Sequence, residues 1–338
     1  MNAKLLLTGL GILLLSPFLL AADTQRNTTT KGFWLDHKFN VMGTQARVRL
    51  WTKNKTLADI ALEKVEQLMV HVDVTMSPFK ESSLLSKVNR EAADHPVKIS
   101  AELFSVIDQA QQIAKLTHGA FDISFSSVGY LYDYREHLKP DEEQIKKRLK
   151  LINYHSIILD KKHSTVFFRK KGMRIDLGGI AKGYAIDLSI QALKDMGIKE
   201  ALVTAGGDTF ALGDNGGHYW KVGIKHPRTE SKVVTVIPVA NEAISTSGDY
   251  ERFFMQDGKR IHHIINPETG KSASEVQSVT IIADRSILAD ALSTSVFILG
   301  VKKGLALIEN MKDVSVIIVD NTGKLFYSSD LLNPENSP

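Results

Sequence analysis

At 338 residues the chain is long enough for one sizeable domain or two smaller ones. Its 43% hydrophobic and 24% charged residues, with a net charge of +4, exclude a disordered polymer, a protein of many membrane spans and a concentrated basic face for nucleic acid. It has no cysteine, which excludes disulfides, thiolate metal sites, a thiol nucleophile and a lipid-modified cysteine.

The N-terminus joins a short positive start, "MNAK", to an almost wholly apolar run, Leu5 to Leu20, and then to small residues in "LAAD". This layout predicts a secretory signal over residues 1–22, cut near Ala22, and hence a periplasmic protein. The run is shorter than the ~20 residues a spanning helix needs. An uncleaved inner-membrane anchor stays open as the alternative, because Leu20 is bulky for the third position before the cut. "DTQRNTTTKG" (23–32) reads as a polar tether.

From residue 33 onward there is no long linker, repeat or low-complexity stretch. "QARVRLW" (45–51) alternates like a strand, and residues 56–77 form an amphipathic helix with Thr56 as candidate N-cap. Residues 100–119 form a second helix, capped by Ser100 and ended by Gly119. "KKRLK" (146–150) is a solvated helix face. "IILD" and "STVFFRK" (157–169) predict a hairpin, "MRIDLGG" a short strand entering a Gly turn, and residues 180–196 a helix. Strand runs follow in "EALVTAGG", "YWKVGIKH", "KVVTVIPVA", "EAISTSGDY" and "RIHHIINP". "VQSVTIIA" then leads into the helix "RSILADALSTSVFILG", and "KKGLALIENM", "VSVIIVD" and "KLFYSS" complete the pattern. Neighbouring strands with helices inserted irregularly predict a mixed α+β fold of largely antiparallel sheets with flanking helices. One compact unit is expected over 33–330, with a tail at 331–338.

Four clusters of small polar groups stand at strand ends or turns. In "DLGGIAKGYAID" (176–187), a Gly turn opens a helix, places Lys182 in the first helical turn and suits an anion; the spacing is not that of a P-loop. "TAGGD" (204–208) lacks the continuation of a dinucleotide-binding fingerprint and fits equally a hairpin corner at Asp208. In "RIHHIINPETGK" (260–271), adjacent strand positions put His262 and His263 on opposite faces, which disfavours joint chelation and suits one histidine as a general base. In the late helix, Asp290 and Thr294 lie four residues apart on one face with Ser293 beside them. That oxygen pair suits a hard ion such as Mg²⁺, or else serves local capping and back-bonding. Together, an anion turn, a hard-metal pair and a base point to metal-assisted attack on a phosphate or pyrophosphate.

The ordered motifs "MGT", "MSPFKESSLLSKVN", "GAFDIS", "DLGGIAKGYAID", "TAGGD", "AISTSGDYERFF", "HHIINPETGK" and "ADALSTSVFILG" resemble the ApbE family of FAD:protein FMN transferases over residues 33–330. The resemblance implies an FAD site made by Met42, Phe79, Ala120, Phe121, Asp122, Asp176, Lys182 and Ile264. It implies Mg²⁺ held by Gly179, Asp290 and Thr294, with Ser293 at the neighbouring position, and His263 as the catalytic base. The implied reaction moves FMN from FAD to a Thr or Ser hydroxyl of an acceptor protein, part of a membrane-associated redox system, and releases AMP. A Mg²⁺-dependent FAD pyrophosphatase is the alternative, and a non-enzymatic FAD-binding protein a third reading. Two departures from the family pattern are the missing lipid-anchor cysteine and the segment "FSSVGYLYDYREH" (125–137), where relatives often carry "GPLV" and a Trp-Gly pair.

Overall fold

The computed structural model describes residues 32–229 and 231–332; the expected signal, the tether up to residue 31 and the tail from 333 lie outside the described residues. Strands β1 (Phe33–Val41) and β2 (Thr44–Thr52) form a hairpin closed by Met42 and Gly43, both in the left-handed region at φ 54° and 70°. A two-residue turn of this kind matches the twist of its strands. Helix α1 (Lys55–Met76) buries Ala58, Ala61, Val65, Met69, Val72 and Met76, one apolar face at helical spacing. Its N-cap is Asn54, not Thr56: the Asn54 side chain accepts the Leu57 N–H at 3.1 Å. Helix α2 (Leu84–Glu91) and strand β3 (Val97–Lys98) precede α3 (Ala101–Leu116), where Ser100 is the cap as expected.

Two short helices, α4 (Ser126–Gly129) and α5 (Glu142–Leu149), lead to the expected hairpin of β4 (Ile157–Asp160) and β5 (Thr165–Phe168), which β3 extends to three strands. The segment "MRIDLGG" is not a strand. Side chains take the place of a neighbouring strand. Asn89 donates to the Ile175 carbonyl and accepts its N–H at 2.9 and 2.7 Å, while Ser127 does the same for Arg174 at 3.2 and 3.0 Å.

Beyond this segment come α6 (Ala181–Asp195), β6 (Ala201–Ala205) and β7 (Asp208–Leu212), then the hairpin of β8 (Trp220–Lys225) and β9 (Val233–Val239). Strand β10 (Glu242–Gly248) precedes two small hairpins, β11 (Phe253–Gln256) with β12 (Lys259–His262) and β13 (Ile265–Asn266) with β14 (Lys271–Ser272). The chain continues through β15 (Val276–Ala283), α7 (Ser286–Ile308), β16 (Val314–Asp320), β17 (Leu325–Tyr327) and the single turn α8 (Ser329–Leu332). Gly300, at φ 73°, breaks α7 where the sequence passes from "FILG" to "VKKG".

One eight-stranded antiparallel sheet, ordered β1-β2-β6-β7-β10-β15-β16-β17, runs through the molecule. Alternation along its strands separates two faces. Val203, Ala243, Ile281 and Val316 face the main core with α1, α6 and α7, whereas Ile244, Ile282 and Ile317 face a smaller cluster under the β8–β9 hairpin with Trp220 and Val239. All eight residues of β15 are buried, as a strand covered on both faces requires. Gly32 onward is one compact unit.

Helices α6 and α7 cross beneath this sheet. Neither N-cap residue, Ile180 or Arg285, makes a side-chain cap. Each helix borrows an aspartate from the other. Asp187 of α6 accepts the N–H groups of Ser286 and Ile287 at 2.7 and 3.1 Å, and Asp290 of α7 accepts the Gly183 N–H at 3.0 Å. These are first-turn donors with no partner inside their own helix. The crossing is close enough that a Cβ on Gly183 would lie 2.2 Å from the Ser286 carbonyl oxygen. A Gly183→Ala variant is therefore expected to lose about 1–3 kcal/mol of stability to overpacking, read by denaturant unfolding; unchanged stability would show that the crossing can open.

Candidate active site

The site forms where the N-terminus of α6 meets the first turns of α7. Lys182 turns inward. Its Nζ lies 2.9 Å from Asp208 Oδ2, 3.1 Å from Asp290 Oδ1 and 3.3 Å from the Gly178 carbonyl oxygen. The contact to Asp208 is an ion pair. One ammonium thus serves two buried carboxylates. Burial alone would lower the Lys182 pKa, but Asp208 and Asp290 together raise it, so the ammonium is held charged. Burial, and then the charge of Asp208, push the Asp290 pKa up, against the pull of Lys182.

Hydroxyls fill the space beside these charges. Ser245 donates to Asp208 and lies 3.2 Å from Ser293 Oγ; Ser247 lies 2.8 Å from Ser293 Oγ and 3.3 Å from Thr294 Oγ1. Ser293 is fully buried, and its hydroxyl also donates to the Asp290 carbonyl at 2.9 Å, so it sits a layer beneath Thr294. Gly179 meets this layer directly, since a Cβ there would lie 3.2 Å from both Thr294 Oγ1 and the Phe121 ring. Asp290 and Thr294 therefore face across to α6 and the Gly turn, and Thr294 does not back-bond within its own helix.

The donors are all oxygens, with two carboxyls to the one ammonium of Lys182, which fits a small hard cation that completes its shell with water or phosphate. Among the described residues no group of three His, Cys, Asp or Glu side chains gathers as a metal cage. An open site with few carboxylates is the arrangement Mg²⁺ favours.

Of the other expected residues, Asp176 and Phe121 meet the Gly turn beside this centre. Asp176 accepts the Gly178 N–H at 2.6 Å and fixes the Gly turn; burial raises its pKa, and Arg252, Arg174 and Lys182 oppose the rise. His263 follows β12, and its N–H donates to the Arg252 carbonyl at 3.2 Å. The Arg252 guanidinium approaches the β1–β2 turn, 3.3 Å from where a Gly43 Cβ would stand, which brings the Met42 turn and His263 to the same side. Ile264 is buried, and its carbonyl accepts the Ala273 N–H at 3.0 Å. Ala120 turns the chain after α3, its N–H donating to the Thr117 carbonyl at 3.1 Å. Phe121 is buried against Gly179, while Phe79 stands 86% exposed on the turn after α1.

The Asp122 carboxylate is spent on the fold. It accepts the N–H and hydroxyl of Ser124 at 2.8 and 2.6 Å, and the Tyr154 N–H at 2.8 Å. Its side chain pins residues 120–125 to 153–154, so whatever that segment offers a ligand comes from backbone and from Phe121.

The profile of the ApbE family matches residues 42–318. The chain belongs to the ApbE family. It is 31% identical over 293 residues to an FAD:protein FMN transferase of Klebsiella pneumoniae, covering 86% of this chain and 90% of that protein. It is 35% identical over 299 residues to one of Treponema pallidum, covering 82% of each. Among solved structures, the ApbE protein of Thermotoga maritima superposes with a TM-score of 0.83 at 34% identity, over 90% of this chain and all of that one. The flavin transferase ApbE of Vibrio cholerae gives 0.80 at 26% identity, over 89% and 99%. The α+β architecture read from the strand and helix pattern is the ApbE fold.

Sequence reasoning left Asp208 as a hairpin corner and assigned no role to Ser245, Ser247, Asp187 or Arg252. Two of these carried a legible signal: Ser245 and Ser247 alternate along β10 and so share the face toward α7. The others depend on partners distant in sequence.

His263 is half-buried, and its Nδ1 is enclosed with no hydrogen-bond partner among the described residues. Burial, then the positive charge of Arg252, push its pKa down to about 3. The ring is therefore neutral throughout the physiological range. A depressed histidine pKa adds stability that is complete above the unfolded value of ~6.5 and is lost as the pH falls toward the folded one. Urea unfolding of His263→Gln should accordingly keep a constant stability difference from the unaltered protein above pH 6.5. Below it, the difference should shift in favour of the variant; a constant difference down to pH 4 would mean the imidazole is not buried as described.

Proposed function

We propose that this ApbE-family protein is an exported, Mg²⁺-dependent FAD:protein FMN transferase. It splits FAD at the pyrophosphate, joins the FMN phosphate to a Thr or Ser hydroxyl of an acceptor protein and releases AMP. The observation that carries the reading is the juxtaposition of Asp290, Thr294 and Gly179 with Lys182 at the N-terminus of α6, an arrangement that suits a cation next to a phosphate. Mg²⁺, when bound, offsets the charge of the pyrophosphate. Asp290, Thr294 and the Gly179 carbonyl would hold it, with Ser293, Ser245 and Ser247 fixing the hydroxyl layer behind them.

The chain's own groups account for the remaining steps. Lys182, at the N-terminus of α6, attracts the phosphates. Phe121 and Phe79 offer flat faces to the rings of FAD, and the Met42 turn, Ala120, the Asp122 backbone, Asp176 and Ile264 border the pocket. His263 takes the proton of the acceptor hydroxyl. The hydroxyl oxygen bonds to the FMN-side phosphorus, and the bond from that phosphorus to the bridging oxygen breaks, leaving with AMP. The signal pattern of residues 1–22 supports a periplasmic location, where an acceptor belonging to a membrane-associated redox system would be met.

The test incubates the protein with FAD, Mg²⁺ and a candidate acceptor domain, then seeks flavin fluorescence on the denatured acceptor. AMP with free FMN and no labelled acceptor would establish a pyrophosphatase instead. Asp290→Ala should abolish Mg²⁺-dependent turnover, and His263→Ala should lower transfer by about 10²–10⁴-fold while FAD still binds. Full activity in either variant would remove that residue from its role.

A further inference from the structure

The residue before the base is also a histidine, and its surroundings differ sharply. His262 is 2% exposed. Its Nε2 lies 2.6 Å from the Ala273 carbonyl, which can only accept, so Nε2 carries the hydrogen. Nδ1 is then a lone pair, and the Ile264 N–H donates to it at 3.3 Å. The ring is fixed in one neutral tautomer by partners on both sides. Burial lowers its pKa, and of the charged groups around it Asp249 opposes that shift while Arg260 and Arg228 add to it. Its edge meets the Phe297 ring at 5.6 Å, on the helix that carries Asp290 and Thr294.

The peptide that joins His262 to His263 is held as well. The His262 carbonyl accepts the Ser272 hydroxyl at 2.7 Å and the Tyr134 hydroxyl at 3.3 Å, and the His262 N–H donates to Ser272 at 2.9 Å. Tyr134 belongs to the divergent segment 125–137, stacks on Tyr132 at 5.9 Å and is kept protonated by burial. Tyr132 in turn donates to the Gly270 carbonyl at 2.8 Å, and His137 stacks on Phe254 of the β11–β12 hairpin. The segment therefore braces the loop of the base from outside while Phe297 supports it from within.

We infer that His262 and Tyr134 are positioning residues: they hold the His262–His263 peptide, and with it the base, in register with the helix bearing Asp290 and Thr294. The inference rests on the reading of His263 as the base. Misplacing a catalytic group by about 1 Å costs up to 10²-fold in rate, so small slack in this loop has a measurable effect.

The test uses the full chain. His262→Phe keeps the ring against Phe297 and removes both of its hydrogen bonds; Tyr134→Phe removes one hydroxyl. FMN transfer in the assay above should fall about 10- to 100-fold in kcat for His262→Phe and less for Tyr134→Phe, with KM for FAD nearly unchanged. His262→Gln, which retains a donor for Ala273, should recover part of the rate. A second readout needs no turnover: NMR titration of the imidazoles, in which His263 faces Arg252, His262 and Lys182. In the unaltered protein the His263 ring stays neutral to below pH 5, and its midpoint moves toward that of a solvated histidine in His262→Phe and also in Tyr134→Phe, which leaves every charge around His263 in place. An unchanged midpoint, or a loss confined to FAD binding, overturns the inference. If the unaltered protein releases no AMP from FAD, the transferase reading fails, and the titration still decides whether His262 positions its neighbour.

Discussion

Two aspartates exchanged between crossing helices are the constraint on which the rest of this molecule depends. Asp187 satisfies the first N–H groups of α7, and Asp290 satisfies the third residue of α6. A side-chain cap contributes about 1 kcal/mol, and a carboxylate at a helix N-terminus adds some tenths more through the dipole. Neither helix has a capping side chain of its own, so the exchange sets both where each begins and how the two are aligned along their axes.

That alignment gathers the site. With α6 fixed against α7, the ammonium of Lys182 falls between Asp208 and Asp290, and Gly179 comes to rest on Thr294. The sheet completes the arrangement, since Asp208 and Ser245 are paired neighbours on β7 and β10. The oxygens of the centre thus stand on a strand pair and two helices, elements that hold position better than loops do. The base stands instead on a loop between two short hairpins, and there the chain adds tyrosine and histidine bonds.

Periodicity made much of this readable beforehand. The apolar stripe of α1, the capped α3, the uniformly apolar β15 and the late helix each announce themselves within one window of sequence. Asp290 and Thr294 were visible for the same reason, as polar positions one turn apart on an otherwise apolar helix. What escaped is what depends on distance along the chain. Asp187 and Ser286 are separated by 99 residues, so nothing local marks Asp187 as a cap. Residues 173–177 carry a strand's composition but find Asn89 and Ser127 where a strand would offer a ladder. Asp122 follows the family motif, yet its carboxylate goes to Ser124 and Tyr154, where it caps the short 3-10 turn Ile123–Phe125.

The contact at Gly183 has a further consequence. The α6–α7 crossing is set by backbone against backbone, with Ser286 and Ile287 where a methyl group would have to go. Side-chain packing can be traded, one shape for another of similar volume, but a joint between two main chains has no interchangeable part. The surfaces that border the pocket can therefore drift to suit different acceptors while the angle between the two helices, and with it the spacing of the charged centre, stays the same.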